Sequence, residues 1–485
     1  MKLKRRVFIK KSMLASAGVA LGAPAYIKGY AQVKPSDMIN VAICGLNGRG
    51  GSHVSNFLRI PDTRIVALCD PVDYVIPPRI ESIEKAGQPK PTKIVADYRQ
   101  LMDDKDIDII SIATPAYWHG LIAIAACQAG KDVYCEKPLA FTVEEGRKVV
   151  QATEKYNRIV QLGTQHRSNR VTQKAWELLK GGIIGDIYMG RGTEYKRRYS
   201  IGRKPDGPVP KGVNWDIFRG PAPMIPFNEN HFFYNWHWYW DTTTTEHGNN
   251  GVHWMDQVRT GMGITGYPTK IACTGGFYSW DSDQEVPNFQ VSTYEYADKK
   301  IMELEIRCLP NPGGSGQMEW YGNLGYAYLQ GSTFQVWVTD GADGQRLRTP
   351  ANISLNEREP ASVAGTPQPT DIPQRARSSE PTLTVTMKDL PPDQWYDECT
   401  KARIEPHFMN FVDCVKSRRS ADLAAPIQNG HISTAQMHLG NIAYRTGRLL
   451  TFDGKTEKFV NDKEADSYLT RKDGYRSPWI LPRTV

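Results

Sequence analysis

From Met38 onward, short apolar runs alternate with helical stretches. The run 39–44 (Ile-Asn-Val-Ala-Ile-Cys) is followed at once by glycines, 64–69 ends in Asp70, and 107–112 ends in Ala113-Thr114-Pro115. A helical stretch over 119–129, an apolar run at 132–135 and a helical stretch over 143–156 come next. Strands separated by helices predict a parallel sheet covered on both faces. After Gln161 the period changes: 290–296 and 300–306 alternate polar and apolar positions, as antiparallel strands with one wet face do. The expectation is an α/β doubly wound domain over 38–160. An α+β domain with an open, mainly antiparallel sheet follows over 161–485. Residues from about 340 to 393 are polar and proline-rich with little periodicity, which suggests a surface insertion. Two helices close the chain, 406–416 and 430–445, the second placing His431, Ala435, His438 and Ile442 on one face.

Composition changes this picture mainly at the start. With 485 residues, 40% of them hydrophobic, the chain is long enough for two cored domains. Its first residues differ in kind: Lys4-Arg5-Arg6-Val7-Phe8-Ile9-Lys10 precedes a short apolar stretch and then Ala23-Pro24-Ala25. That pattern reads as a twin-arginine signal over 1–31, because the apolar run is too short to span a bilayer. It predicts export of the folded protein to the periplasm. Seven of the formal +8 charges lie in that segment, leaving about +1 for the mature chain, which argues against nucleic acid as a partner. No later stretch is long and apolar enough to span a membrane. The eight cysteines lack CxxC spacing, and buried free thiols are expected.

Candidate chemistry begins directly after the first strand, at Gly45-Leu46-Asn47-Gly48-Arg49-Gly50-Gly51. This is a G-x-G-x-x-G variant with Asn47 at the second glycine. Glycines belong there because the strand must turn tightly and backbone N–H groups must approach a pyrophosphate at a helix N-terminus. Asparagine tolerates a left-handed backbone and so keeps the match. Asp70 ends the second strand 25 residues after Gly45, where a carboxylate would accept from the adenosine ribose hydroxyls. No arginine follows it within Asp70-Pro71-Val72-Asp73, so NAD is preferred over NADP.

Three further motifs stand in order: 113–119 (Ala-Thr-Pro-Ala-Tyr-Trp-His), Glu136-Lys137-Pro138, and 251–256 (Gly-Val-His-Trp-Met-Asp). Together with the glycine loop they resemble the glucose–fructose oxidoreductase / inositol dehydrogenase / rhizopine-catabolism (Gfo/Idh/MocA) family over nearly the whole mature chain. The resemblance implies an N-terminal Rossmann domain that binds NAD through Gly45, Asn47, Gly48, Arg49, Gly50 and Asp70. It places Thr114, Pro115 and His119 beside the nicotinamide, Glu136 in contact with it, and Lys137 at the reacting hydroxyl or carbonyl. Physics agrees, since oxidising a hydroxyl needs a cation to steady the developing alkoxide and a base to take the proton. Lys137 can supply the first and His253 the second. The family usually carries an aspartate four residues before that histidine; here the position is Asn249, which can orient His253 or bind a hydroxyl but cannot act as a base. Glu246 and Asp256 are candidates to compensate. Arg167 matches a family position near the substrate, and homo-oligomers through an open sheet face are common in the family.

Residues 231–240 hold seven aromatics in ten. Trp236, His237, Trp238 and Trp240 are the substrate candidates, because aromatic faces cover the C–H faces of sugar rings while polar edges bind hydroxyls. A core or interface cluster is the other reading of the same stretch. The spacing of His231, His237, His247 and His253 matches no compact ligand motif, so no metal is expected. The functional expectation is oxidation of a sugar or glycoside ring hydroxyl, with C3 the candidate carbon, using a tightly held cofactor recycled in place. An NAD-dependent glycosidase working by oxidation, elimination, addition and reduction is the alternative. A non-catalytic sugar-binding protein on the same fold is the third reading.

Overall fold

The computed structural model describes residues 38–309, 316–338 and 381–485. The twin-arginine segment and most of the polar stretch that begins near residue 340 lie outside these residues.

The first sheet has six strands: β1 (Ile39–Cys44), β2 (Thr63–Cys69), β3 (Lys93–Val95), β4 (Ile109–Ile112), β5 (Asp132–Glu136) and β6 (Val160–Gly163). Their spatial order is β3-β2-β1-β4-β5-β6 and all neighbours are parallel. Val41, Ile43 and Leu68 pack on one face of this sheet, while Ala42, Cys44, Ile110 and Ile112 pack on the other, which explains the near-continuous apolar runs. The strand order reverses between β1 and β4, and a crevice outside the carboxyl ends of the strands opens at such a point.

The second sheet has ten strands: β7 (Ile187–Tyr195), β8 (Lys270–Gly276), β9 (Phe289–Glu295), β10 (Ile301–Arg307), β11 (Gln317–Gly322), β12 (Gly325–Gln330), β13 (Thr333–Val338), β14 (Leu383–Val385), β15 (Leu450–Asp453) and β16 (Lys458–Phe459). Among the described residues, only the pair β7 and β10 of this sheet is parallel. Alternation is clear in β9, where Gln290, Ser292 and Tyr294 are buried while Thr293 and Glu295 are exposed. The described end of the polar stretch is not free surface, because Leu383–Val385 extends this sheet beside β13.

Two features depart from the sequence reading. Packing does not divide at residue 160: β6 completes the parallel sheet, and the helix Pro406–Ser417 returns to it, burying Phe408, Phe411 and Val412 against Val41, Ile43 and Phe57. The helix Ile427–Thr446 is buried nearly all round rather than on one face, with every residue from Gly430 to Ala443 buried. It lies between the helix Val143–Lys155 and β8, so both sides need apolar or small residues. Seven of the eight cysteines are buried, Cys273 is partly buried, and all are free thiols. Among the described residues no helix is long and apolar enough to cross a membrane.

Candidate active site

A cavity of about 490 Å³ opens at the carboxyl ends of β1, β2, β4 and β5. Gly45, Asn47, Gly48, Arg49, Asp70, Thr114, Pro115, His119, Glu136, Lys137, Trp236, His237, Asn249 and His253 all line it. Gly50 lies behind this wall, and a Cβ there would fall 2.0 Å from the Gly45 carbonyl oxygen. Gly45 has φ 83°, and its Cβ would meet the Ala113 and Thr114 backbone at 2.6 Å, so the turn admits no side chain. The left-handed positions of the loop are Gly45 and Gly48, whereas Asn47 is not left-handed. Asparagine is accommodated there because ordinary backbone is required, not because it tolerates αL. The helix Arg49–Arg59 starts at this loop with no side-chain cap; Gly50 N and Gly51 N donate to Asn47 O and Gly48 O at 3.0 Å, and the positive end of the helix faces the loop, where it favours an anion.

Asp70 is buried and accepts from Leu46 N at 2.8 Å and Val72 N at 3.0 Å. Burial pushes its carboxyl up to about 6 against the pull of those two bonds. Each oxygen keeps a lone pair for a further donor. The far wall of this end comes from the second half of the chain. Val213 bridges to Val72, Asn214 N donates to Pro71 O at 2.8 Å, and Ile217, Phe218 and Phe233 face Tyr98 and Trp118 across the cavity. Nothing periodic in residues 212–233 announced that contribution.

Glu136 forms the floor. Its Oε1 accepts from Arg49 Nε at 2.8 Å, Gln165 Nε2 at 2.8 Å and His53 Nε2 at 3.2 Å. Burial alone would raise this carboxyl, but Arg49 and His53 outweigh it and hold it well below the usual range. Arg49 is also clamped bidentately by Glu405 at 2.8 Å, so its guanidinium braces Glu136. His119 faces two carbonyls, Pro138 O at 2.6 Å and Thr114 O at 2.8 Å, and ties the second motif to the third. His53, Gln165 and Glu405 escaped sequence reasoning because only the fold brings the first two to Glu136 and the third to Arg49.

Lys137 Nζ donates to the backbone carbonyl of Asn249, with Asn249 Oδ1 at 3.4 Å. Burial lowers the ammonium from its ordinary value, opposed by Glu136 and Glu246. Asn249 sits in a π-helical turn, His247–Gly251, that runs into the helix Val252–Gly261. Its amide donates to Tyr234 OH at 3.1 Å and Glu246 Oε1 at 3.1 Å, not to His253. Glu246 is buried, bonds the Asn250 amide at 2.7 Å, and pairs with Arg198 at 2.6 Å. Of the two candidate compensating acids, Glu246 is therefore the one linked to Lys137, through Asn249. Asp256 is committed elsewhere, to Arg167 at 2.6 and 2.7 Å and to Ser433 at 2.8 Å.

Several substrate candidates go elsewhere for the same reason. Arg167 is spent on the buried Asp256 pair and packs on Trp176, away from the cavity. Trp238 packs with Tyr239 and Val286, and Trp240 lies between Tyr444 and Arg445 in a separate depression. The aromatic stretch is thus divided: Phe233, Tyr234, Trp236 and His237 line the cavity, Trp240 lines the separate depression, and the rest is packing. A run of short 3-10 turns, Glu229–His231 and Phe233–Trp238, causes the split, because it has neither helical nor strand period. The four histidines of this region also diverge, with His231 stacked on Tyr239 at 3.5 Å and His247 buried beside Ser292.

Family models match most of the described chain. Residues 39–164 match the Gfo/Idh/MocA oxidoreductase family's NAD-binding Rossmann fold, and 178–304 with 388–481 match its C-terminal alpha/beta domain. The chain belongs to the Gfo/Idh/MocA oxidoreductase family. Solved structures with this fold include the WlbA dehydrogenase of Bordetella pertussis in complex with NADH and UDP-GlcNAcA (TM-score 0.57, 15% identity, covering 86% of this chain and 99% of that one). Levoglucosan dehydrogenase in complex with NADH and L-sorbose is similar (TM-score 0.58, 16% identity, 86% and 99%). At those identities the likeness is one of fold. Curated relatives include a glycosyl hydrolase family 109 protein of Shewanella pealeana, 28% identical over 207 residues, 39% of this chain and 45% of the relative. An alpha-N-acetylgalactosaminidase of Shewanella oneidensis is 27% identical over 206 residues, again 39% and 45%. The match thus spans less than half the length of either relative.

The residues present fit the family's NAD. Thr114 Oγ1 and His253 Nδ1 line the cavity buried and without a protein partner, and the Gly45 turn leaves bare backbone where a pyrophosphate would lie.

Proposed function

We propose that the protein is an NAD-dependent oxidoreductase that oxidises a ring hydroxyl of a sugar or glycoside at C3 and retains its cofactor, which is recycled by returning the hydride to a second carbonyl compound. The observation that carries this reading is the convergence, at one end of an NAD-type cavity, of Lys137, Asn249, His253, Trp236 and His237. When bound, NAD supplies the two-electron acceptor. Lys137, fixed by the Asn249 carbonyl, directs a positive charge at the oxygen that becomes a carbonyl. A neutral imidazole on the same wall takes the hydroxyl proton, and burial keeps both His237 and His253 neutral. The Trp236 ring, stacked on His237 at 3.7 Å, offers an apolar face to a sugar ring.

The glycosidase cycle is the second reading, favoured by the family 109 relatives. The twin-arginine segment supports a periplasmic location, and the exposed aromatic residues of the second sheet, Tyr188 and Tyr326, support a homo-oligomer.

The test is to denature the purified protein, identify the released nucleotide, and then incubate the intact protein with a glycoside in heavy water. Stoichiometric NAD and a stable keto product are expected. Net hydrolysis with deuterium at C2 gives the function to the glycosidase cycle. Retained nucleotide whose absorbance near ~340 nm never changes with any sugar reduces the protein to a binder.

A further inference from the structure

We infer that His237, through its Nε2, accepts the hydroxyl proton of the substrate, and that His253 does not. The inference rests on the oxidoreductase reading above and names a catalytic group within it.

His237 Nδ1 lies 2.6 Å from the backbone carbonyl oxygen of Tyr234. A carbonyl can only accept, so Nδ1 carries the hydrogen and Nε2 of the neutral ring is left with a lone pair. The ring is 8% exposed, stacked on Trp236 at 3.7 Å and packed on Tyr234 at 4.3 Å, so it cannot turn over cheaply. Its accessible part faces the cavity shared with Lys137 and Asn249. A lone pair fixed in that position needs a donor, and a substrate hydroxyl is one.

Charge arrangement favours the same residue. Lys137 and Arg198 act on His237 against protonation, and the buried carboxylate of Glu246 acts for it. Glu246 is held in place by Arg198, Asn249 and Asn250. An imidazolium formed at His237 is therefore met by a fixed negative charge. His253 lacks the fixed tautomer, and the one carboxylate acting on it, Glu136, is outweighed by Lys137 and His166. Its Nδ1 has no protein partner to fix a tautomer, its ring sits edge-on to His166 at 5.3 Å, and after burial the strongest influences on it are Lys137 and His166, both opposing a proton. The balance of the step is simple: the O–H proton goes to His237 Nε2, the C–H hydrogen leaves with its electron pair to bound NAD, and the carbon–oxygen bond becomes double.

The test uses the nucleotide-loaded protein and its His237→Asn, His237→Ala and His253→Asn variants. Nitrogen-15 histidine NMR is expected to show, for the signal absent in H237N, hydrogen on Nδ1 and none on Nε2. With nucleotide content unchanged, H237N is expected to lose about 10²–10⁴-fold in kcat. Free imidazole is expected to restore part of the activity of H237A. H253N, which removes another residue of the same cavity, is expected to lower kcat by less than H237N does, and a loss as large as that of H237N overturns the inference. A signal with hydrogen on Nε2 overturns the inference, as does an H237N variant whose KM rises while kcat holds, which would make the residue a hydroxyl binder. If wild type turns over no sugar, the oxidoreductase reading has failed instead, and the NMR tautomer still decides the placement of the proton.

Discussion

The two ends of the cavity are built in opposite ways. The nucleotide end is backbone: a turn at Gly45, the N-terminus of the helix Arg49–Arg59, and the Asp70 carboxylate at the end of a strand, all set by parallel-sheet topology. The reacting end is side chains held by other side chains, with Lys137 on Asn249, Asn249 on Glu246 and Tyr234, and Glu246 on Arg198, carried on 3-10 turns and a π-helical turn. Topology tolerates changes of residue type but not of backbone volume. A side-chain network tolerates the reverse, and each member changes the charge felt by the next.

Substitutions can break that contrast in order of effect. Gly45→Ala is expected to remove nucleotide from the purified protein altogether: left-handed backbone costs an alanine about 1–2 kcal/mol, and its Cβ would collide with the strand-β4 turn. Nucleotide retained at full stoichiometry would show that the turn is not the cradle. Lys137→Met is expected to keep the nucleotide while lowering kcat about 10²–10³-fold, measured as single-turnover absorbance change with sugar; equal loss of nucleotide would merge the two ends into one unit. Arg167→Ala, outside both ends, is expected to cost about 3–5 kcal/mol of stability by leaving the buried Asp256 carboxylate with Arg259, 3.8 Å away, as its remaining cation, with KM unchanged in the protein that remains folded. A raised KM with unchanged melting temperature would return Arg167 to the substrate.

Acid discriminates the two ends by sign. His237 at the reacting end, with His247, His407 and His438 in the core, is held by burial down to about 4. Their folded values lie below the unfolded value of about 6.5, so the stability they contribute is complete above that pH and lost as pH falls toward 4. Asp70, raised to about 6, runs the other way, contributing stability below its unfolded value near 3.8 that is lost as pH rises through 6. A melting temperature that falls steadily from pH 6.5 to 4 is expected; a flat profile would mean that the histidines are not buried neutral. The smallest effect is expected of Asn47→Gly, less than about threefold on nucleotide affinity, because that position is not left-handed. A larger gain would assign Asn47 a steric cost that its backbone does not suggest.

What was legible beforehand follows the same division. The parallel sheet, the glycine turn, Asp70 and the Glu136-Lys137-Pro138 motif could be read because strand ends and tight turns constrain residues close together in sequence. The aromatic stretch was legible only as composition, since turns without period do not say which ring points where. Trp238 and Trp240 therefore looked equivalent to Trp236 and His237. Arg167 and Asp256 each looked available until the fold placed them 2.6 Å apart.

By itself the sequence determined the two sheets, the backbone cradle and the lysine at the end of β5, since hydrophobic period and glycine sterics are local. Only the tertiary structure decided that Glu405 clamps Arg49, that residues 212–233 close the nucleotide end, and that Glu246 rather than Asp256 is linked to Lys137 through Asn249. These are pairings between groups up to 356 residues apart, and which charge meets which in a low-dielectric interior is fixed by packing.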